Sequence, residues 1–121
     1  MKVMGMEQMS KEPATSPLFT GGPVTRQPLV TREMSNNMTA SVVNFGKGAK
    51  NKYHIHTSDQ VLIVTAGTGI VATEQEELTV GVGDVIHIPA GEKYWHGATK
   101  DSHFSHITLA AVDSETTQLE S

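Results

Sequence analysis

The chain contains 121 residues, which is enough for one domain with a single hydrophobic core and too few for a second domain. Its formal net charge is −4 and its lysines and arginines are scattered, so the composition gives no electrostatic footprint for nucleic acid or for a membrane surface. The absence of cysteine excludes disulfides, thiolate metal ligands and cysteine nucleophiles.

Residues 1–17 form a polar segment that contains Pro13 and Pro17, and this composition predicts an extended arm. The first residues lack the uninterrupted apolar core of a signal peptide, and no later apolar run is long enough for a membrane span. We therefore expect a soluble, cytoplasmic protein. Because arms of this kind in small β proteins often pair with a partner subunit, we also expect a homodimer.

Residues 18–112 alternate between short apolar or β-branched runs and turns rich in glycine and proline. Strands of this length and spacing are typical of a β-sandwich or β-barrel, and no segment has the pattern of a long helix. The last residues, 113–121, are polar, and we expect a frayed tail there. The predicted strands are 29–32, 39–45, 52–56, 60–68, 70–73, 78–80, 85–88, 94–96 and 104–111.

The sequence His54-Ile55-His56 is the main functional signal in the chain. Alternate side chains of a strand face the same side, so the two histidines project together and can chelate one cation. Gln60 can add a carbonyl oxygen from the following turn. Three metal-enzyme classes with such a histidine pair are excluded. A metallo-β-lactamase needs an aspartate at Ser58, an amidohydrolase needs a barrel of about twice this length, and a zinc deaminase needs two cysteines.

A wider frame surrounds this pair of histidines. The spacing Gly48-x5-His54-x-His56-x3-Gln60-x6-Gly67 resembles the first motif of the cupin superfamily, G-x5-H-x-H-x3,4-E-x6-G, with glutamine in place of the usual glutamate. The resemblance implies an all-β fold, namely a single-domain cupin β-barrel of the double-stranded β-helix, jelly-roll-like type.

A later stretch resembles the second cupin motif, G-x5-P-x-G-x2-H-x3-N. Gly83, Pro89 and Gly91 stand at the correct spacing, whereas Tyr94 occupies the usual histidine position and Ala98 the usual asparagine position. Two motifs in this order are far more specific than either motif alone.

Longer segments, Gln60–Gly67 and 89–99, resemble a bacterial group of small cupins. That group includes manganese-dependent hydroxynitrile lyases and cupins associated with carboxymuconolactone decarboxylases, and in it a glutamine replaces the motif glutamate as a metal ligand. The resemblance implies that the metal has three ligands here, His54, His56 and Gln60. It also implies that His106 lines the pocket as a polar catalytic group.

Tyr94 stands where that group has its fourth metal ligand, a histidine. A tyrosine can ligate iron or manganese as a phenolate if the cation lowers its pKa strongly. Alternatively His96, on the same strand face, can turn inward and replace it. A third alternative is a site that binds metal weakly or not at all. The sequence leaves all three alternatives open.

The neutral ligand set indicates Lewis-acid chemistry. Two histidines and an amide leave a divalent cation with its full charge, and oxygen and imidazole ligands favour manganese, iron, nickel, copper or zinc, of which the resemblance favours manganese. His106 or His96 has the pKa range of a general base. We expect a metal-dependent enzyme that acts on a small oxygenated molecule, most concretely a lyase of the hydroxynitrile or aldol-like type. The alternative is a non-catalytic cupin that binds a small molecule or a metal as a sensor or accessory protein.

Overall fold

The computed structural model describes residues 1–121 and contains twelve β-strands and one 3-10 helix, Met6–Gln8. No helix is long and apolar enough to cross a membrane. This composition confirms the predicted all-β fold class. The strands are β1 (Glu12–Pro13), β2 (Phe19–Thr20), β3 (Val24–Val30), β4 (Met38–Phe45), β5 (Lys50–Asn51), β6 (His54–His56), β7 (Gln60–Ala72), β8 (Glu77–Gly81), β9 (Val85–Ile88), β10 (Trp95–Ala98), β11 (Phe104–Ala111) and β12 (Thr116–Gln118).

The long strand β7 connects the two halves of a curled antiparallel sheet. In the first half the order is β1-β3-β4-β11-β7, and β9 pairs with the other edge of β7. In the second half the order is β2-β5-β10-β7, and β8 pairs with the other edge. Residues 60–67 of β7 belong to the first half and residues 68–72 to the second. The hydrophobic core lies between the halves and includes Val43, Phe45, Leu62, Val64 and Phe104.

The change of sheet within β7 depends on Gly67. The register between β7 and β11 shifts between Ser105 and His106, and Gly67 has a φ of 71°. A Cβ at this position would collide with the backbone carbonyl of His103. Glycine adopts positive φ without steric cost, and a bulge bends the strand that contains it. The strand therefore bends where it passes from one half of the sheet to the other.

Both chain ends add strands to the barrel. In the arm, β1 pairs with β3, and the Gln27 amide donates hydrogen bonds to the carbonyls of Met6 (3.2 Å) and Met9 (2.9 Å). At the other end, the prediction of a frayed tail is wrong, because β12 pairs with β6. The Glu120 carboxylate also accepts a hydrogen bond of 2.7 Å from the Tyr53 N–H. The free edge of β6 needs backbone partners, and the tail supplies them.

Candidate functional site

An open cavity of about 470 Å3 lies inside the barrel between the two halves of the sheet. Five of the six residues that the sequence singles out line it, and the sixth, Tyr94, is buried directly beneath them at 1 % exposure. The five lining residues are His54, His56, Gln60, His96 and His106. The topology brings them together because β6, β7, β10 and β11 all contribute to the same interior.

His54 and His56 project side by side from β6, as strand alternation predicts. Their ring centroids are 4.8 Å apart and the rings are nearly perpendicular, at 86°. Nδ1–H of His54 donates to the Lys52 carbonyl at 2.6 Å, so the lone pair of this ring is on Nε2. Nδ1 of His56 shares a hydrogen bond of 2.9 Å with the Thr116 hydroxyl on β12. Both rings are therefore held through Nδ1, which leaves Nε2 available for a ligand.

Gln60 and Tyr94 are joined by a buried hydrogen bond. The Tyr94 hydroxyl donates to Oε1 of Gln60 at 3.0 Å. Burial raises the pKa of Tyr94, so the side chain is a neutral phenol. A carbonyl oxygen has two lone pairs, so Gln60 keeps one for a second partner. Of the two roles considered for Tyr94, this geometry favours holding Gln60 in place, and it disfavours ligation of a metal as a phenolate.

His96 turns inward, as one of the sequence alternatives expects. Its ring stacks on that of Tyr94 with a centroid distance of 5.5 Å and an interplanar angle of 9°. Its backbone N–H donates to Oδ1 of Asn51 at 2.8 Å, and the Asn51 amide nitrogen lies 3.3 Å from ring atom Nδ1. The edge of the ring meets His106 at 4.8 Å between centroids. His96 is thus packed between the tyrosine and the histidine of β11.

His106 is fully buried and carries an unpaired nitrogen. Its Nδ1 lies 3.1 Å from the Thr108 hydroxyl, whereas Nε2 has no hydrogen-bond partner. A buried polar atom without a partner costs about 1–3 kcal/mol, so such atoms are rare away from functional sites. This nitrogen belongs to a residue that lines the cavity, and the protein itself supplies no partner for it.

The cavity is electrically unusual because four imidazoles line it and no carboxylate does. Burial lowers the pKa of His56 and His106 to about 4, and it also lowers the pKa values of His54 and His96. For His96, the neighbouring histidines lower the pKa further. All four rings are therefore neutral at pH 7, the form in which histidine ligates a metal.

The chemistry of this donor set fits a divalent cation. A ring held through one nitrogen by a carbonyl or hydroxyl, with the other nitrogen free, is the usual form of a metal-ligating histidine. No group of three or more His, Cys, Asp or Glu residues is nevertheless arranged so that it could hold a metal ion. The donors His54, His56 and Gln60 include only two such residues, so the amide oxygen would have to complete the set.

Three polar residues that contribute to the site were not predicted from the sequence. Thr108 follows His106 by two positions on β11, so strand alternation could have placed it on the same face. Asn51 and Thr116 carried no such signal, because each reaches the site through a strand pairing that is distant in sequence.

Comparisons with known proteins place the chain among cupins. Residues 41–110 match the family described as Cupin domain. The chain is 34% identical over 110 residues to a protein of Granulicella tundricola (strain ATCC BAA-1859 / DSM 23138 / MP5ACTX9) described as "(R)-mandelonitrile lyase". That match covers 90% of this chain and 82% of the relative.

Solved structures share the same fold. A cupin-like protein from Thermotoga maritima has a TM-score of 0.85 and 30% identity, and the match covers 94% of this chain and 89% of that one. A polyketide cyclase from Streptomyces resistomycificus has a TM-score of 0.90 at 15% identity, covers 100% of this chain and 87% of its own, and supports the fold alone.

Proposed function

The chain belongs to the cupin family, and from this premise we propose that it is a metal-dependent lyase. The proposed reaction cleaves or forms a carbon–carbon bond next to a hydroxyl group in a small molecule, as in hydroxynitrile or aldol-like chemistry. The observation that carries the proposal is the unpaired Nε2 of buried His106, which shares one cavity with the His54–His56 pair. The relative described as a mandelonitrile lyase supports the choice of reaction type.

The ligands of the proposed metal site are two imidazole nitrogens and one amide oxygen. His54 and His56 would contribute Nε2, and Gln60 would contribute the lone pair of Oε1 that Tyr94 leaves free. When bound, a divalent ion, with manganese favoured, would supply Lewis-acid stabilisation of a developing alkoxide. His96 lies close enough to be the further ligand or a second proton carrier.

His106 is the proposed general base. Its Nε2 accepts the proton of the substrate hydroxyl while the bond to the leaving carbon breaks and a carbonyl forms. Thr108 holds the ring through Nδ1. Burial lowers the pKa of His106 to about 4, below the range near neutrality that the sequence predicted, so the ring is a weaker base than expected. The same effect makes the imidazolium return its proton readily to the departing carbanion or cyanide. The proton and the electron pair of the broken bond both end in the departing group, and the carbonyl compound is the other product.

The test is a mandelonitrile cleavage assay on Mn(II)-loaded protein, followed through the benzaldehyde that forms. His106→Ala is expected to lose at least about 100-fold in kcat with its metal content unchanged, because a positioned base contributes on the order of 10²–10⁴. The matched control is His103→Ala, which removes an exposed histidine immediately before β11 and should keep the wild-type rate.

A second candidate function is a non-catalytic cupin that binds a small molecule or a metal. The observation in its favour is that no ready-made group of three His or acidic residues is present. If the protein is fully loaded with Mn(II) and does not cleave mandelonitrile, the lyase proposal is contradicted and this second candidate is favoured. The homodimer and the cytoplasmic location stay predictions, because a single chain tests neither of them.

A further inference from the structure

The proposed mechanism does not use the only formally charged side chain that lines the cavity, Arg26. Arg26 lies opposite Val43 in the pairing of β3 with β4, and Val43 lies opposite His106 in the pairing of β4 with β11. Directly paired residues of antiparallel strands project to the same face. Arg26 therefore shares the inner face with His106, at two strand spacings, or roughly 10 Å.

The guanidinium of Arg26 has no acidic partner. Nη2 donates to the Ser41 hydroxyl at 3.3 Å, and the two ion pairs of the chain involve other residues. A guanidinium has five N–H donors in a planar fork that matches a carboxylate. Most of these donors are free, and the side chain is exposed to solvent at the cavity.

Space for a ligand adjoins this arginine. A second cavity of about 440 Å3 shares six lining residues with the first, including Arg26, His56 and Gln60. Two opposite charges at its outer part, Arg32 and Glu33, offset each other, so Arg26 sets the net positive charge of the combined space. A molecule that occupies both cavities would have one end at the histidines and the other at the guanidinium.

We propose that Arg26 binds a carboxylate, so that the substrate is a small organic acid with a hydroxyl or carbonyl group. Ser41 orients the guanidinium, and the oxygen function of the substrate lies toward His54 and His56. The position of the oxygen function rests on the proposed metal-dependent activity, whereas the carboxylate contact rests on Arg26 alone. Charge-assisted bidentate pairing gives the preference for an acid over a neutral molecule of the same shape.

The experiment compares the binding of mandelate and its neutral amide, mandelamide, by calorimetry. Both are measured with Mn(II) and after EDTA treatment, since a carboxylate can also contact a metal ion directly. Wild-type protein is expected to bind mandelate at least about tenfold more tightly than mandelamide in both states. Arg26→Gln should abolish this preference with its metal content unchanged, and Arg26→Lys should retain part of it.

Arg32→Gln is the matched control, because Arg32 lines the outer cavity and its guanidinium donates to the Val112 carbonyl. The preference for mandelate should survive in this variant. Equal affinities in wild-type protein, no mandelate binding, or an unchanged preference in Arg26→Gln would overturn the inference.

The two proposals fail separately. A protein that holds no metal and still prefers mandelate through Arg26 contradicts the proposed lyase function and supports this inference. A protein that cleaves mandelonitrile with bound Mn(II) but shows no preference for mandelate over mandelamide supports the lyase function and contradicts this inference.

Discussion

The hydroxyl of Tyr94 donates a 3.0 Å hydrogen bond to Oε1 of Gln60, so two positions at which the chain departs from the cupin motifs contact each other. A glutamine supplies a neutral acceptor for a buried neutral phenol. The pair keeps the amide oxygen in a fixed place beside the cavity without adding charge. The departure at Tyr94 is thus accommodated within the barrel, and His96 stacks on its ring.

Replacing Tyr94 with histidine should strengthen metal binding. Tyr94→His adds an imidazole at the position of the usual fourth ligand and releases Oε1 of Gln60. We expect Mn(II) affinity, measured by calorimetry, to rise by about tenfold or more, comparable with other changes to the surroundings of a metal. Tyr94→Phe keeps the ring and removes only the hydroxyl, so it separates the two effects. Unchanged affinity in Tyr94→His would show that position 94 does not face the metal.

The tail strand β12 should contribute to metal retention through Thr116. Its hydroxyl holds Nδ1 of His56 at 2.9 Å. Thr116→Val removes this bond at nearly constant volume, and we expect Mn(II) affinity to fall about 10-fold. Thr117→Val changes the next residue of the same strand, which pairs with Ile55, and is expected to leave the affinity unchanged. Equal effects of the two variants would mean that the Mn(II) affinity depends on the strand β12 as a whole and not on the Thr116 hydroxyl.

Acid should destabilise the metal-free protein through His106. Its pKa falls to about 4 on folding, from an ordinary value near 6.5. Below pH 6.5 the unfolded chain binds a proton that the folded chain does not, so the free energy of unfolding falls as the pH drops towards 4. The loss from this residue approaches roughly 3 kcal/mol. Urea denaturation at pH 7 and pH 4.5 measures it.

The control for the acid effect is a comparison of two histidine variants. His106→Asn should show a smaller loss of unfolding free energy between the two pH values than the wild type, whereas His103→Asn at an exposed position should lose as much as the wild type. An identical pH dependence in His106→Asn would mean that this histidine does not titrate on unfolding as described.

Gly67 should be the glycine whose replacement is least tolerated in β7. Gly67→Ala introduces a Cβ that collides with the His103 carbonyl, at a positive φ. We expect a loss of several kcal/mol of unfolding free energy, on the order of the larger single-residue effects. Gly81→Ala is the matched control, because no atom lies within 4 Å of the added Cβ. A thermal melt of both variants checks the difference, and equal midpoints would contradict it.

The local pattern was enough to predict the centre of the site. Strand alternation placed His54 and His56 on one face, and it put His96 on the same face as Tyr94, which made an inward His96 one of three alternatives. These inferences succeed because both depend on neighbours in sequence. The partners of the rings, such as Thr116, depend on pairings between distant strands, which no local pattern reveals.

Strand boundaries also depend on pairings between distant strands, which the local sequence pattern does not reveal. The sequence predicts a strand at 29–32, whereas β3 spans Val24–Val30. Its residues include Pro28, which lacks a backbone N–H, and the register with β4 is irregular between Pro28 and Val30. The pairing with β4 forms in spite of this proline, so the local pattern did not reveal the start of the strand. That pairing also determines where Arg26 projects.

The central claim is that this cavity holds a divalent metal ion, and metal content tests it most directly. The chain is purified without chelator, incubated with Mn(II), dialysed and analysed beside a His54→Ala/His56→Ala double variant. We expect about one ion per wild-type chain and a strong loss in the folded double variant. A wild-type chain that retains no metal, or a double variant that retains as much as the wild type, would contradict it.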